Sequence, residues 1–518
     1  MTKVCILAAG VGSRIQTIEG LHKALLPVQN QSMLSHLFEL FPKDTNFVIA
    51  LGHKLKQLKT YIKNVYPKLN IEYVNVNNFS DPGSGPGLSL LSCEQKLQCP
   101  FVFMPVDNFL TETVPVEFKN NWIGTSSVEL EDSKQYCIIK GEEVLESFYY
   151  GNGNQIFNGI AGIYDYKTFW ESLKNTDLIN GEHQVINGFI GLENVKIKRY
   201  KDFFDVGNKK SYTSTVQQFP NDLVLEKTEE CLFVDNNKVV KYFSDSNKCE
   251  KRIERVSHLN NTSPHIKKIN DNMYCYDFIQ GEMLSNINSV KELRNFLEFY
   301  QTRLASHGFE KNTQFLNDCK NMYEQKSYTR ANIYSGSSLD KINTINGFKV
   351  PQIYDILDII DWSEIYNKAT PAKFHGDLQP ENIIKGKKYY FIDWRESFGE
   401  SIEVGDVYYD LGKLYHGLII NGTLMLDNHF DIRYNSNEAE LSFLTKSNLM
   451  NLLFELKCFC KNNNLCWQNV LLVGALNYIN IAPFYMNDKN KKYSEFIFLL
   501  GKLLLSKHLV YGEKEILI

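Results

Sequence analysis

Lys3-Val4-Cys5-Ile6-Leu7-Ala8-Ala9-Gly10-Val11-Gly12-Ser13-Arg14 is a short, mostly apolar run that breaks into a glycine turn. A strand feeding such a turn is a candidate phosphate cradle. Gly10 and Gly12 let the backbone approach a phosphate closely, and exposed N–H groups can bind its oxygens. Arg14 and Lys23, the latter in His22-Lys23-Ala24-Leu25-Leu26-Pro27-Val28, add compensating charge. Outward from the turn, Val48-Ile49-Ala50-Leu51-Gly52 and Ile71-Glu72-Tyr73-Val74 read as further strands, separated by a helix through Leu55, Leu58, Tyr61 and Ile62. Strands alternating with helices argue for a parallel α/β sheet.

LAAGVGSR followed by HKALLPV resembles the sugar nucleotidyltransferase family, whose signature is LAAGxGxR followed by PKxLxPV. The resemblance implies a Rossmann-like nucleotidyltransferase domain of GT-A-like fold. It also implies nucleotide binding by Ala8, Ala9, Gly10 and Gly12, and catalytic roles for Arg14 and Lys23. His22 stands where the family usually has proline; the choline-phosphate cytidylyltransferases of that family are similar in carrying histidine, which leans the substrate toward choline. Asp81-Pro82-Gly83-Ser84-Gly85-Pro86-Gly87-Leu88-Ser89 falls where the family has a glycine-rich nucleotide contact, implicating Gly85 and Gly87. The strand Phe101-Val102-Phe103-Met104-Pro105-Val106-Asp107 ends at the family's magnesium position, and Phe204-Asp205-Val206-Gly207 matches its later DVGT segment. Two carboxylates at strand ends can clamp a metal on a triphosphate while a phosphate oxygen attacks the α-phosphorus. By the same resemblance Gly159 and Glu182 contact the acceptor.

The second half carries Phe374-His375-Gly376-Asp377-Leu378-Gln379-Pro380-Glu381-Asn382, then Tyr389-Tyr390-Phe391-Ile392 ending in Asp393-Trp394. Phosphoryl transfer needs a carboxylate to orient and deprotonate the attacking hydroxyl, and two oxygen ligands for magnesium. Asp377, Asn382 and Asp393 supply that set. The interval from Asp377 to Asn382 is that of the protein-kinase loop HRDxxxxN, and HGD with IDW resembles the aminoglycoside and choline kinase family, small-molecule kinases of protein-kinase-like fold. The resemblance implies Asp377 as base, Asn382 and Asp393 as metal ligands, and Lys241 on the phosphates of ATP. Glu254, or alternatively Glu250, is then its ion-pair partner, Arg395 an acceptor contact, and Asp406 and Asp410 braces of the catalytic loop. Leu223–Lys227, Cys231–Asp235 and Lys238–Phe243 read as an antiparallel meander turning at Asp235-Asn236-Asn237-Lys238. Leu293, Phe296, Leu297, Tyr300 and Leu304 stand at helical spacing.

A chain of 518 residues exceeds one typical domain. The patterns place a nucleotidyltransferase domain at 1–220 and a bilobal α+β kinase-like domain at 221–518, its N-lobe at about 221–285 and its C-lobe at about 286–518. Net charge of -4 gives no global basic field for nucleic acid or an anionic membrane, so the expected partners are a small alcohol or sugar and nucleotides, with the oligomeric state open. The 11 cysteines, odd in number and without CxxC pairs, favour neither a disulfide framework nor a zinc site. No run of 18 apolar residues predicts membrane insertion, and a cytoplasmic enzyme is expected.

Together the two resemblances imply a bifunctional enzyme using Mg2+ at both sites. ATP phosphorylates a small hydroxylated metabolite, and a second NTP, with CTP favoured and UTP or GTP open, is coupled to that phosphate. The product is a CDP-amino alcohol such as CDP-choline, or an NDP-sugar, for bacterial capsule or lipopolysaccharide glycans. The alternative is that one domain alone is catalytic and the other a nucleotide-binding regulatory module.

Overall fold

The opening apolar run becomes β1 (Lys3–Ala8), buried from Val4 onward. It sits in a computed structural model that describes every residue except 1, 16, 132, 175–176, 180, 222–228, 287, 307, 421–428, 487–489 and 514–518. The expected strand over Leu223–Lys227 therefore lies outside the described residues. The chain divides into two compact units, Met1–Ser246 with Lys267–Phe278, and Asn247–Ile266 with Ile279–Ile518.

In the first unit β2 (Asn46–Leu51), β3 (Asn70–Asn75) and β4 (Phe101–Pro105) join β1 in a parallel sheet of order β4-β1-β2-β3. Between β2 and β3 runs α1 (Leu55–Val65), which buries Leu58, Tyr61, Ile62 and Val65, one apolar stripe at helical spacing. The chain leaves β1 toward β2 on one side and returns as β4 on the other. That reversal of strand order opens a crevice beyond the carboxyl ends of β1 and β4, the place where open α/β sheets bind ligands.

β5 (Asn108–Leu110) follows β4 almost directly, then β6 (Trp122–Ser127) and β7 (Gln155–Ile163). β7 runs antiparallel to both β4 and β6, so the sheet is mixed rather than wholly parallel, as is common at the margin of large α/β sheets. β8 (Phe203–Asp205) pairs antiparallel with β5 in a register that sets Asp205 opposite Asn108.

The first unit also holds most of a four-stranded sheet of β9 (Glu230–Asp235), β10 (Lys238–Phe243), β11 (Ile266–Asn270) and β12 (Met273–Asp277), in the order β9-β10-β12-β11. β9 and β10 are joined by Asn236 and Asn237, both with positive φ (48° and 58°), the two-residue turn whose twist matches a hairpin. Fully buried Asp235 accepts hydrogen bonds from Ser32 N (3.1 Å), Ser32 Oγ (2.5 Å) and the Tyr61 hydroxyl. The compact first unit thus includes β9, which a satisfied buried carboxylate fastens to it.

The second unit is mainly helical. It contains α2 (Ser246–Glu254) from Asn247 onward, α3 (Val290–Tyr300), α4 (Lys326–Ala331) and a hairpin of β13 (Ile383–Lys385) with β14 (Tyr389–Phe391), followed by α5 (Val407–Ile419), α6 (Trp467–Ile481) and α7 (Lys491–Leu509). α3 buries Leu293, Phe296, Leu297 and Tyr300, and Leu304 beyond it is buried too. α5 packs on α6 and α6 on α7. Among the described residues, no helix is long and apolar enough to cross a membrane.

Candidate active sites

Beyond the carboxyl ends of β1 and β4 lies a cavity of about 790 Å³, lined among others by Gly10, Gly12, Arg14, Lys23, Gly85, Asp107, Gly159, Glu182 and Asp205. Gly12 has φ +69°, the left-handed backbone that favours glycine, and a Cβ there would stand 3.2 Å from Lys23 Cδ. Gly159 has φ +82° where the pairing of β7 with β6 shifts register between Phe157 and Ala161, an irregularity that turns this strand edge toward the cavity.

The two acidic residues meet at Gly207. A Cβ on Gly207 would lie 2.9 Å from Asp205 Oδ1 and 3.2 Å from Asp107 Oδ2. Lys23 Nζ is 2.7 Å from Asp107 Oδ2, while Asp205 accepts from Tyr136 OH (2.7 Å) and from Gly207 N (2.6 Å). Burial opposes charge on Asp107, but Lys23, with Arg14 behind it, holds this carboxyl below its ordinary value. Asp205 goes the other way, raised by burial and by the neighbouring charge of Asp107. Two hard oxygen donors that repel each other beside one glycine fit a divalent cation.

Two predicted contacts lie elsewhere. Ala8 is a buried β1 residue absent from the cavity wall, and its carbonyl accepts from His22 Nε2 (3.2 Å). Gly87 is buried in the helix Pro86–Leu91, with its N–H given to His183 O (2.7 Å). A Cβ there would come 2.7 Å from that carbonyl, so close packing on His183 accounts for the glycine. His22 caps the short helix Lys23–Leu25, accepting from Ala24 N at Nδ1 (3.0 Å). It is buried and absent from the cavity wall. Tyr136, which sequence reasoning missed, has no motif around it that could have marked it.

Residues 4–124 match the model of the MobA-like NTP transferase domain. Among solved structures, the chain is similar to a UDP-glucose pyrophosphorylase complexed with UDP-glucose, at 19% identity over 42% of this chain and 98% of that one, with TM-score 0.38. It is also similar to the CTP:phosphocholine cytidylyltransferase from Streptococcus pneumoniae, at 16% identity, 42% and 98% coverage and TM-score 0.35. A third is the inositol-1-phosphate CTP transferase from T. maritima, at 14% identity, 42% and 94% coverage and TM-score 0.34. No curated protein matches the chain. Within the NTP transferase domain, the matched segment contains the glycine turn, Lys23 and Asp107, and Asp205 reaches them through the pairing of β8 with β5.

The second unit gathers its own set of polar groups around Asp377. Ile392 N donates to Asn382 O (2.9 Å), which holds together the two ends of the β13–β14 hairpin. Asn382 Nδ2 donates to Asp377 O (2.8 Å), turning its amide oxygen away from that residue. Asp393 takes φ +55°, a left-handed backbone uncommon for a residue other than glycine, and pairs with Arg252 of α2 at 2.5 Å. Beneath the loop, Asp410 accepts from His375 N (2.7 Å) and Gly376 N (2.6 Å), and Asp406 from Thr370 N (2.8 Å) and Tyr323 OH (2.7 Å). Buried Arg255 donates to Phe374 O (2.6 Å) and Ile402 O (2.7 Å), and its guanidinium lies 3.8 Å from the Phe374 ring centre.

Lys413 Nζ lies 3.0 Å from Asp377 Oδ1. Burial opposes charge on Asp377, yet Lys413 brings its carboxyl down to about 2. Lys413 stands three residues after Asp410 on α5, one helical turn along from the residue that clasps the loop. That spacing was the signal available in the sequence. Asn382 and Asp393 carry amide and carboxylate oxygens, the hard donor type that would suit a divalent cation. Lys241 is buried on β10 of the first unit, whereas Glu254 and Glu250 are exposed on α2. The side chains that α2 buries are Cys249 and Arg252.

His22 and His375 share one arrangement. Each accepts a backbone N–H at Nδ1, from Ala24 and Asp377, and each places Nε2 against a carbonyl, of Ala8 and Ile392, which sets the neutral tautomer with hydrogen on Nε2. Burial pushes His22 down to about 3 and His375 down to about 4. A histidine lowered in the folded state is protonated first in the unfolded chain, so stability is lost as pH falls below about 6.5. The expected loss is about 2 kcal/mol from each histidine by pH 5. Urea unfolding at pH 7 and pH 5 measures it, and His22→Asn, which keeps an acceptor for Ala24 N without titrating, should flatten the fall in the first unit.

Proposed function

We propose that the chain is a bifunctional enzyme. The second unit phosphorylates a small hydroxylated metabolite with ATP, and the first joins that phosphate to the nucleoside monophosphate part of an NTP, releasing pyrophosphate. The observation that carries the reading is the convergence of Asp107 and Asp205 on Gly207 in a cavity flanked by the glycine turn, Lys23 and Arg14. In the first unit a phosphate oxygen of the acceptor attacks the α-phosphorus while Arg14 and Lys23 offset charge on the phosphates. Gly10, Gly12 and Gly85 let the nucleotide approach the backbone, and Gly159 and Glu182 face the acceptor. In the second unit Asp377 orients the acceptor hydroxyl and receives its proton. Mg2+ held by Asp107 and Asp205, and by Asn382 and Asp393, would supply the positive charge that eases attack on each triphosphate.

The product is an NDP-activated metabolite, with CTP the first NTP to test, suited to cytoplasmic assembly of capsule or lipopolysaccharide precursors. Incubating the intact chain with Mg2+, ATP and CTP, UTP or GTP against a panel of alcohols and sugars tests the coupling. Pyrophosphate should appear only when ATP and one acceptor are both present. Release that ignores ATP, or no release with any combination, overturns it.

A further inference from the structure

Three cations, Lys326, Arg395 and Lys413, gather around Tyr409, and the last of them reaches Asp377. Lys413 lies 3.0 Å from its carboxylate, and Tyr409, one turn earlier on α5, accepts a hydrogen bond from Lys326 Nζ (3.0 Å). Lys326 follows directly on a π-helical turn, Asn321–Gln325, the kind of local insertion that recurs at functional sites. Arg395 is held against the catalytic loop: its N donates to His375 O (3.0 Å), and a Cβ on Gly376 would lie 2.6 Å from its own. The nearby acids are already engaged, Asp377 with Lys413, and Asp393 and Glu396 with Arg252, while Arg395 stands 3.9 Å from Glu396. Lys326 bonds a phenol instead of a carboxylate. Burial, with repulsion from Arg395 and Lys413, brings this lysine down to about 8, and although burial opposes it, the three cations bring Tyr409 down to about 8 as well. Like charges held together beside a reactive carboxylate call for an anion between them, as Asp107 and Asp205 call for a cation.

We propose that the alcohol phosphorylated by the second unit carries a separate anionic group, a carboxylate or a phosphate, seated between Lys326 and Arg395 while its hydroxyl faces Asp377. This rests on the kinase reading above and deepens it. The hydroxyl oxygen bonds to the γ-phosphorus of ATP, the bond from that phosphorus to the β,γ-bridging oxygen breaks, ADP leaves and the proton passes to Asp377. A cationic alcohol such as choline meets repulsion in this setting, which favours an acidic sugar or hydroxy acid.

ADP formation by the intact chain with Mg2+ and ATP tests this against choline and ethanolamine, glycerol and glucose, glycerate and glucuronate, and glycerol 3-phosphate and glucose 6-phosphate. One of the last four should exceed every neutral or cationic compound in kcat/KM by on the order of 100-fold, and its type separates carboxylate from phosphate recognition. Lys326→Ala should raise KM for that acid by about tenfold or more with KM for ATP unchanged, and Lys326→Arg should restore it. Preference for choline or glycerol, or a Lys326→Ala effect that falls on ATP, overturns the inference and leaves the kinase reading standing. If no compound is turned over, the inference falls, and calorimetry with Mg-ATP then decides whether the kinase reading falls with it.

Discussion

Asp377→Ala abolishes ADP formation at the level of about 10²- to 10⁴-fold, the range a positioned base contributes, and leaves pyrophosphate release from a pre-phosphorylated acceptor intact. The geometry explains both halves of this expectation. Asp377 is fixed from three sides, by Lys413 at 3.0 Å, Gln379 Nε2 at 3.1 Å and the Asn382 amide at 3.3 Å, so its carboxylate has one orientation to offer an incoming hydroxyl. Held down to about 2, it remains ionised throughout the working range and is a weak base. On the proposed kinase reading such a group would act chiefly by orienting the nucleophile in a loose phosphoryl-transfer transition state and take the proton late. ADP formation by the parent chain should therefore show no acidic limb from Asp377 between pH 5 and 7, and kcat measured over that interval checks it. On the proposed reading pyrophosphate release belongs to the first unit, so an Asp377→Ala chain that loses both activities would falsify the division of labour.

The parts of the fold legible in the sequence were those where burial leaves a uniform signature. β1, flanked on both sides in a parallel sheet, is apolar from Val4 to Ala8, and α1 shows its buried stripe at Leu58, Tyr61, Ile62 and Val65. Asp107 was legible because an apolar strand ends just before it. What joins it to Asp205 was not, since β5 and β8 are three residues each and short strands carry no pattern that fixes register. Asp235 opens the predicted Asp235–Lys238 turn, yet it is fully buried on Ser32 and Tyr61, contacts 203 and 174 residues away that local pattern does not encode.

Charge gave the least reliable guide to orientation. α2 carries Lys248, Glu250, Lys251, Arg252 and Glu254, and with so few apolar residues its sequence does not say which face turns inward. Within α2, Arg252 is the residue that reaches Asp393. His22 shows a similar dependence on contacts, its two nitrogens meeting Ala24 N and Ala8 O. In each case the deciding contact joins segments far apart in sequence, which local pattern does not encode.

Asp205→Asn and Asp107→Asn should both lower pyrophosphate release by on the order of 10³-fold, about 4 kcal/mol of lost transition-state stabilisation, and yet differ in their effect on the fold. Asp205 is raised by burial and by Asp107, so the folded chain holds its proton more tightly than the unfolded chain does, and ionisation of Asp205 costs stability above the ordinary carboxylate range. Removing that charge relieves the repulsion and retains an acceptor for Gly207 N, so Asp205→Asn should unfold at the same temperature as the parent or higher at pH 7. Asp107 is the partner of Lys23, whose side chain is 15% exposed, and Asp107→Asn leaves that ammonium beside a neutral amide, with a lower unfolding temperature expected. Differential scanning fluorimetry beside a pyrophosphate assay reads both. A carboxylate that weakens the fold but is needed for turnover is retained for chemistry. Should Asp205→Asn destabilise the first unit as much as Asp107→Asn does, Asp205 would be a structural acid bonded to Tyr136 and Gly207, and the paired-carboxylate site would have to be abandoned.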